Sequence, residues 1–346
     1  MNAGIAYALL GAALFGASTP IAKLLVGDIG PLMLAGLLYA GSGLGLGLWL
    51  ALRRWIRPAN RPGLAPPDYK WLAGAVVSGG VIGPVLLMIA LSAAAASTVS
   101  LLLNLEGVFT ALLAWFVFQE NFDRRVLLGM GLIVSGGLLL SWPSGGISTS
   151  LPALAVAGAC LCWALDNNLT RKISAGDSVQ IAAIKGLAAG AVNLCASAAF
   201  GAAQPALGSA LAAAAVGFLG YGVSLALFVV ALRLLGTART GAYFATAPFI
   251  GAGVSFALLG ESPDALFWLA SVLIAAGVAL HLFERHRHVH LHDALAHNHP
   301  HTHDEHHRHD HDFAWDGTEP HSHPHDHVPL SHSHEHYPDI HHRHGH

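Results

Sequence analysis

Residues Ala95 to Glu120, AASTVSLLLNLEGVFTALLAWFVFQE, are apolar almost from end to end. About 20 such residues at 1.5 Å rise cross a hydrocarbon core roughly 30 Å thick, so the stretch predicts one membrane-spanning helix. In its middle stands Glu106, two residues after Asn104. A carboxylate at that depth is costly unless it faces the interior of a bundle, which makes Glu106 a candidate functional residue. The stretch also has a twin. Gly236 to Glu261, GTARTGAYFATAPFIGAGVSFALLGE, follows it at an offset of 141, with Gly107 falling on Pro248 and Glu120 on Glu261.

The rest of the chain agrees with a membrane solvent. Of 346 residues, 54% are hydrophobic and 11% charged, against about 25% charged in soluble domains. Hydropathy predicts ten helices, at 3–25, 31–52, 71–91, 95–118, 126–142, 152–170, 179–200, 209–232, 237–259 and 264–283. The first has no basic n-region and reads as a permanent helix. Cys160, Cys162 and Cys195 fall inside predicted helices and read as small packing residues. Basic residues cluster between even and odd helices: Arg53, Arg54, Arg57, Arg61 and Lys70, then Arg124 and Arg125, then Arg171 and Lys172, then Arg233 and Arg239. These loops are expected in the cytoplasm, which places both termini there and the chain in a cell membrane of the bacterial inner-membrane type.

The twin extends beyond the opening pair. At an offset of 141, Gly79 meets Gly220, Ile133 meets Ile274 and Gly136 meets Gly277; at 148, Phe15-Gly16 meets Trp163-Ala164 and Lys23 meets Arg171. Five helices per half is an odd number, so the halves are expected to insert in opposite senses, an architecture of secondary transporters. The aromatic-small pair with a following basic residue, the paired halves, and a helix running from Pro248 to Gly260-Glu261 resemble EamA-type transporters of the drug/metabolite transporter superfamily. That resemblance implies a ten-helix inverted-repeat fold that moves small metabolites, often outward. The chain departs from the pattern at Gly107, where the family has proline, and around Leu37-Leu38, where a basic residue is absent, although Lys185 occupies the matching region of the second half. The expected fold is therefore an all-α integral membrane protein of ten transmembrane helices in two inverted five-helix repeats, 1–142 and 143–283, with a disordered tail, 284–346.

Other polar groups sit within apolar surroundings. Asn104 is expected to bond a neighbouring helix. Asp166, Asn167 and Asn168 follow an uncharged run, and Lys185 lies at a similar depth, so Asp166–Lys185 pairing would reduce the penalty of burying both charges. Glu106, Asn104, Asp166, Asn167 and Lys185 are the candidates for substrate binding or ion coupling. Lys23, near the end of the first helix, can snorkel. Glu120 and Glu261 end helices, where a carboxylate is unfavourable unless paired.

The end of the chain has another composition. Residues 1–280 hold 13 Lys and Arg against 9 Asp and Glu, a balance of +4; residues 281–346 hold 4 against 11, −7; the total is −3. All 24 histidines lie at or after His281. They alternate: His286, His288, His290 and His292; His297, His299, His301 and His303; His307, His309 and His311; His321, His323, His325 and His327; His332, His334 and His336. Neutral imidazole suits Zn²⁺, Ni²⁺, Co²⁺ and Cu²⁺, and residues i and i+2 of an extended chain share a side. Few apolar residues are present, so no folded core is expected. Spacer and pH-sensor roles remain alternatives to metal binding.

No nucleotide-binding loop or catalytic constellation is present, so the chain reads as a gradient-driven transporter and not an enzyme. The cargo is open between a transition-metal cation collected by the tail and an organic metabolite such as an amino acid with a metal-binding regulatory tail; a membrane-anchored metal buffer or sensor is the third reading. No cofactor is required, and bound Zn²⁺, Ni²⁺, Co²⁺ or Cu²⁺ ions on the tail are left open. The expected partners are the lipid bilayer and a small solute or metal ion, with a homodimer open and nucleic acid excluded.

Overall fold

The computed structural model describes residues 3–56, 66–118, 124–141, 151–171, 173, 177–235, 240, 243–282, 286–292, 295–301, 321–327 and 330–336. Two units are separate in their contacts, Met1–Glu284 and Arg285–His346.

The first unit is helical. Its chain order begins with α1 (Ala3–Val26), α2 (Pro31–Ile56) and α3 (Tyr69–Ala75), followed by a π-helical turn, Val76–Ile82, and α4 (Gly83–Ala93). There follow α5 (Ala96–Leu102), α6 (Leu105–Phe118), α7 (Arg124–Leu140), α8 (Leu151–Arg171), α9 (Ser178–Ala199) and α10 (Leu207–Val216). A second π turn, Gly217–Val223, leads into α11 (Ser224–Leu235), α12 (Ala247–Leu259) and α13 (Ala265–Leu282). Pro31 opens α2 and Pro84 stands in the first turn of α4, where the missing N–H is no loss. Asp177 caps α9 by accepting from the Val179 N–H at 3.0 Å.

Helix α2 packs along α9, α7 along α13, α8 against α4 and α6, and α1 against α11 and α12. The main core lies between α1, α2, α4, α5 and α8, where Leu34, Leu38, Leu87, Met88, Leu91, Val99 and Val156 are fully or nearly fully buried. Small residues permit the closest crossings: a Cβ on Gly43 would overlap the Gly186–Leu187 backbone of α9. In a membrane such contacts replace the hydrophobic effect as the source of helix association.

The structure corrects the expected ten spans in two inverted five-helix repeats. Among the described residues six helical stretches are long and apolar enough to cross a membrane: Ala3–Val26, Pro31–Ile56, Tyr69–Ala93, Ala96–Leu113, Val179–Ala199 and Leu207–Ala231. Hydropathy windows count every apolar run as one span, whereas Leu127–Leu140, Ala247–Leu259 and Ala265–Leu280 form shorter apolar helices. Thirteen helical residues reach only about 20 Å at 1.5 Å each. Helix α8 has the length, 21 residues, but Asp166, Asn167 and Asn168 dilute its apolar character. The first unit is an all-α, multi-pass membrane protein.

The second unit departs from the expected disordered tail. It contains strands β1 (His286–His292), β2 (Leu295–His301), β3 (His321–His327) and β4 (Leu330–His336), paired antiparallel as β1 with β4 and β2 with β3. The physical signal was the His-x-His alternation, the period-two pattern of a strand; composition alone hides it. His303, His307, His309 and His311 lie outside the described residues, as does Glu120.

Candidate functional site

The expected continuous helix over 95–118 is broken. After Leu102 the chain tightens, with the Asn104 N–H donating to the Leu101 carbonyl at 3.1 Å and the Glu106 N–H to Leu103 at 3.1 Å. The Asn104 side chain, 8% exposed, donates through Nδ2 to the same Leu101 carbonyl at 3.0 Å. Asn104 therefore caps its own break instead of bonding a neighbouring helix. The break puts Glu106 in the first turn of α6, where the unpaired N–H groups favour a negative charge. Discontinuous helices of this kind frame the solute and ion sites of many secondary transporters.

Helix α8 supplies the partners, and its periodicity divides them. Asn167 turns to α6 and donates through Nδ2 to Glu106 Oε1 at 2.8 Å. Asp166 and Thr170, four apart and on one face, turn to α9. Lys185 Nζ lies 2.5 Å from Asp166 Oδ1, and Thr170 Oγ1 donates to the same oxygen at 2.8 Å. Lys185 also lies 3.3 Å from Thr170 Oγ1. The Asp166 and Lys185 side chains are 10% and 17% exposed, so the pair is largely withdrawn from solvent. Among the described residues no cation is paired with Glu106. Of the five residues singled out by sequence, four thus form two adjacent contacts on α8, and Asn104 holds the turn before them.

Above this pair lies the π turn Val76–Ile82. A π turn misaligns the backbone ladder and leaves carbonyls for side-chain donors, and such turns recur at functional sites. Here the Gly79 carbonyl accepts from Tyr39 OH at 2.8 Å and from Trp163 Nε1 at 2.9 Å, and the Gly80 carbonyl from Asn193 Nδ2 at 3.1 Å. A Cβ on Gly79 would overlap the Asp166 carboxylate, so glycine lets the turn close over the ion pair. Tyr39 continues into an aromatic column, with Tyr221 at 5.6 Å between ring centroids, then Phe15 at 5.9 Å, then Phe244 at 5.7 Å. Tyr39, Thr170 and Asn193 were missed by sequence reasoning. Asn193 carried a readable signal, a lone amide in an apolar run, and it is fully buried with Oδ1 unpartnered in the structure.

The remaining expectations resolve into packing and capping. Cys160 donates weakly to the Leu102 and Leu103 carbonyls at 3.7 and 3.8 Å, and all three cysteines are free. Among the described residues no group of three or more His, Cys, Asp or Glu side chains is arranged to hold a metal ion. Lys23 binds the end of α4 and Glu261 the start of α5. A cavity of about 450 Å³ opens at the end of the bundle where α1 turns into α2, lined by Met33, Leu37, Leu194, Gln204, Pro205 and Leu207. It contains none of the charged residues above.

Known proteins share this plan. The model of the EamA-like transporter family matches twice, over residues 2–142 and 150–283. An uncharacterized transporter of Methanothermobacter thermautotrophicus is 28% identical over 280 residues, covering 76% of this chain and 81% of that protein. A probable 4-amino-4-deoxy-L-arabinose-phosphoundecaprenol flippase subunit, ArnE, of Pseudomonas fluorescens is 50% identical over 40 residues, 12% of this chain and 35% of its own. A protein of known crystal structure has the same fold at a TM-score of 0.59 and 18% identity, with 80% of this chain and 95% of the other covered. With both matched segments together spanning most of the first unit, the chain is a secondary transporter and not an enzyme, and it belongs to the EamA-like transporter family.

Proposed function

We propose that the chain exports a small organic solute bearing charges of both signs, such as an amino acid, with Glu106 as the group that takes up a proton or cation during the cycle. The observation that carries this reading is the Asp166–Lys185 pair beside the separately held Glu106. A zwitterion can exchange with an internal ion pair, its ammonium meeting Asp166 and its carboxylate meeting Lys185. Each buried charge then keeps a counter-charge throughout, which avoids the penalty of an isolated ion in low dielectric. The same lysine argues against a divalent metal as the cargo of this cluster, because like charges a few ångströms apart repel strongly where water is scarce. Purified protein in liposomes loaded with a panel of neutral amino acids should exchange at least one of them against the labelled compound outside. Flux of Ni²⁺, Co²⁺ or Zn²⁺ without any amino-acid exchange would instead return the metal cation as cargo.

We also propose that the tail binds divalent transition-metal ions as a regulatory or storage element. Its support is the strand register. His286, His288 and His290 stand opposite His336, His334 and His332, and His297, His299 and His301 stand opposite His325, His323 and His321. His292 and His327 stand opposite Leu330 and Leu295. On the other rows of β1 and β4, Arg287 is opposite Glu335, an opposite-charge pair that favours this register over a slip by one. Pro300 and Pro324 occupy the rows between the histidines, so the histidine rows can keep the ladder hydrogen bonds. Neighbouring histidine rows thus place four histidine positions on one face of each ladder. Calorimetry on the full chain should find about two Zn²⁺ or Ni²⁺ ions, one per ladder, released below about pH 5.5 as imidazole protonates. The chain cut after Glu284 should bind none; equal binding by the cut chain would remove the tail from the metal chemistry.

A further inference from the structure

The corner between α4 and α5, at Ala94 and Ala95, is gripped by two charges of opposite sign. Lys23, from the last turn of α1, donates through Nζ to the Leu91 carbonyl at 2.5 Å and to the Ala94 carbonyl at 2.9 Å. Glu261 accepts from the Ala96 N–H at 2.7 Å through Oε1 and from the Ser97 N–H at 2.9 Å through Oε2. The signs match what each helix end leaves unpaired: carbonyls where α4 stops, N–H groups where α5 begins. Both side chains come from far away in sequence. Glu261 is aimed by Gly260, whose φ of 64° is the left-handed conformation that ends α12 and turns the chain.

The corner is also the near end of a short lever. Helix α5 has seven residues and then breaks at Leu103–Asn104, with Glu106 at the start of α6. Nothing covalent but this one short helix separates the grip from the break. Ala96, Val99, Ser100, Leu101 and Leu102 are all buried, so α5 moves as a packed unit or not at all. A transporter must open and close each end of its path in turn, and here the unpaired backbone groups of the corner are held by four hydrogen bonds, two to each charge, beside the packing of α5 on α12 and of α4 and α5 on α1.

We propose that Lys23 and Glu261 are the two jaws of a gate at this end of the transport path. With both closed on the corner, as in this structure, α5 is seated and the end is shut. When both let go, α4 and α5 part from α1 and α12 and the polar cluster becomes reachable from this end. Both are positioning residues that act on the solute path through the α4–α5 corner. The proposal needs only the family-level activity and not the identity of the solute.

The test reads access without any solute. Cysteine is placed at Ser100, 1% exposed in α5, or at Leu72, 4% exposed in a core cluster with Ile173 and Ile181 on α3's side of the bundle, in a chain whose own three cysteines are alanine. A water-soluble maleimide is then added to the protein in micelles, where both ends meet the reagent. In Glu261→Gln and Lys23→Met, labelling at position 100 should rise about tenfold, the factor that one charge-assisted hydrogen bond is worth. Labelling at position 72 should stay within about twofold. Unchanged labelling at 100 would overturn the gate and leave two ordinary helix caps. An equal rise at both positions would overturn it too, as general loosening. If the cysteine-free chain does not fold, the same comparison is made with Cys160 and Cys162 retained and their own labelling subtracted.

Discussion

Replacing Glu106 by glutamine is expected to stop transport and leave the fold intact. The substitution keeps the length of the side chain and an oxygen that can still accept from Asn167 Nδ2, the 2.8 Å bond that ties α6 to α8. The backbone turn before it depends on Leu101, Leu103 and Asn104, none of which is touched. The expected change in stability is therefore small, about 1 kcal/mol or less, read as a melting temperature in detergent. What is lost is the charge and its titration. If Glu106 takes up a proton or cation in each cycle, the loss of one charge-assisted interaction lowers flux about 10- to 100-fold. The measurement is exchange in liposomes at several pH values between about 5.5 and 8. Wild-type flux from the glutamine variant over that whole range would take Glu106 out of the cycle and leave only its bond to Asn167.

Glu106 could be found from sequence because an isolated carboxylate in a long apolar run is an energetic anomaly that no neighbour in sequence relieves. The same rule reached Asp166 and Lys185, and their common depth suggested the pairing seen at 2.5 Å. It would have reached Asn193 had amides been weighed like charges. Other features depend on tertiary geometry. Tyr39 and Trp163 meet at one carbonyl only because a π turn frees Gly79, and nothing in VVSGGVI distinguishes that turn from an ordinary helix. Glu261 looked like an awkward carboxylate at a helix C-terminus. Its partners, Ala96 and Ser97, lie 165 and 164 residues away. The number of spans was misread for a related reason. Hydropathy measures how apolar a run is, whereas the length of the helix it forms is set by where the helix starts and stops, as at the glycine end Gly260 that closes the short helix Ala247–Leu259. In the tail the alternation sets histidines on one side of an extended chain, while the scarcity of apolar residues argues against a folded core and so hides the strand pairing.

Breaking the Asp166–Lys185 pair from one side is expected to unsettle the protein more than removing both partners. Asp166→Asn leaves the Lys185 ammonium with neutral acceptors, the asparagine amide oxygen and Thr170 Oγ1 at 3.3 Å, and Lys185→Met leaves the Asp166 carboxylate, among the described residues, with the Thr170 hydroxyl at 2.8 Å. Stranding one member of a buried pair costs about 3–5 kcal/mol, and the partial exposure of Lys185 places both single variants toward the lower figure. The double variant, Asp166→Asn with Lys185→Met, strands no charge. It keeps the volume against which Gly79 packs, because asparagine matches aspartate in size. Its stability should return to within about 1–2 kcal/mol of the starting protein, a coupling that a double-mutant cycle in detergent would measure. Transport distinguishes the two roles the pair can have. If the pair only balances charge within the bundle, the double variant should carry solute as well as it folds. If the pair exchanges with the two ends of a zwitterion, the double variant should be stable and inactive, with solute binding lost along with flux. A stable double variant with normal flux would dismiss the zwitterion reading and leave the pair as a strut between α8 and α9, with Glu106 alone to recognise the cargo.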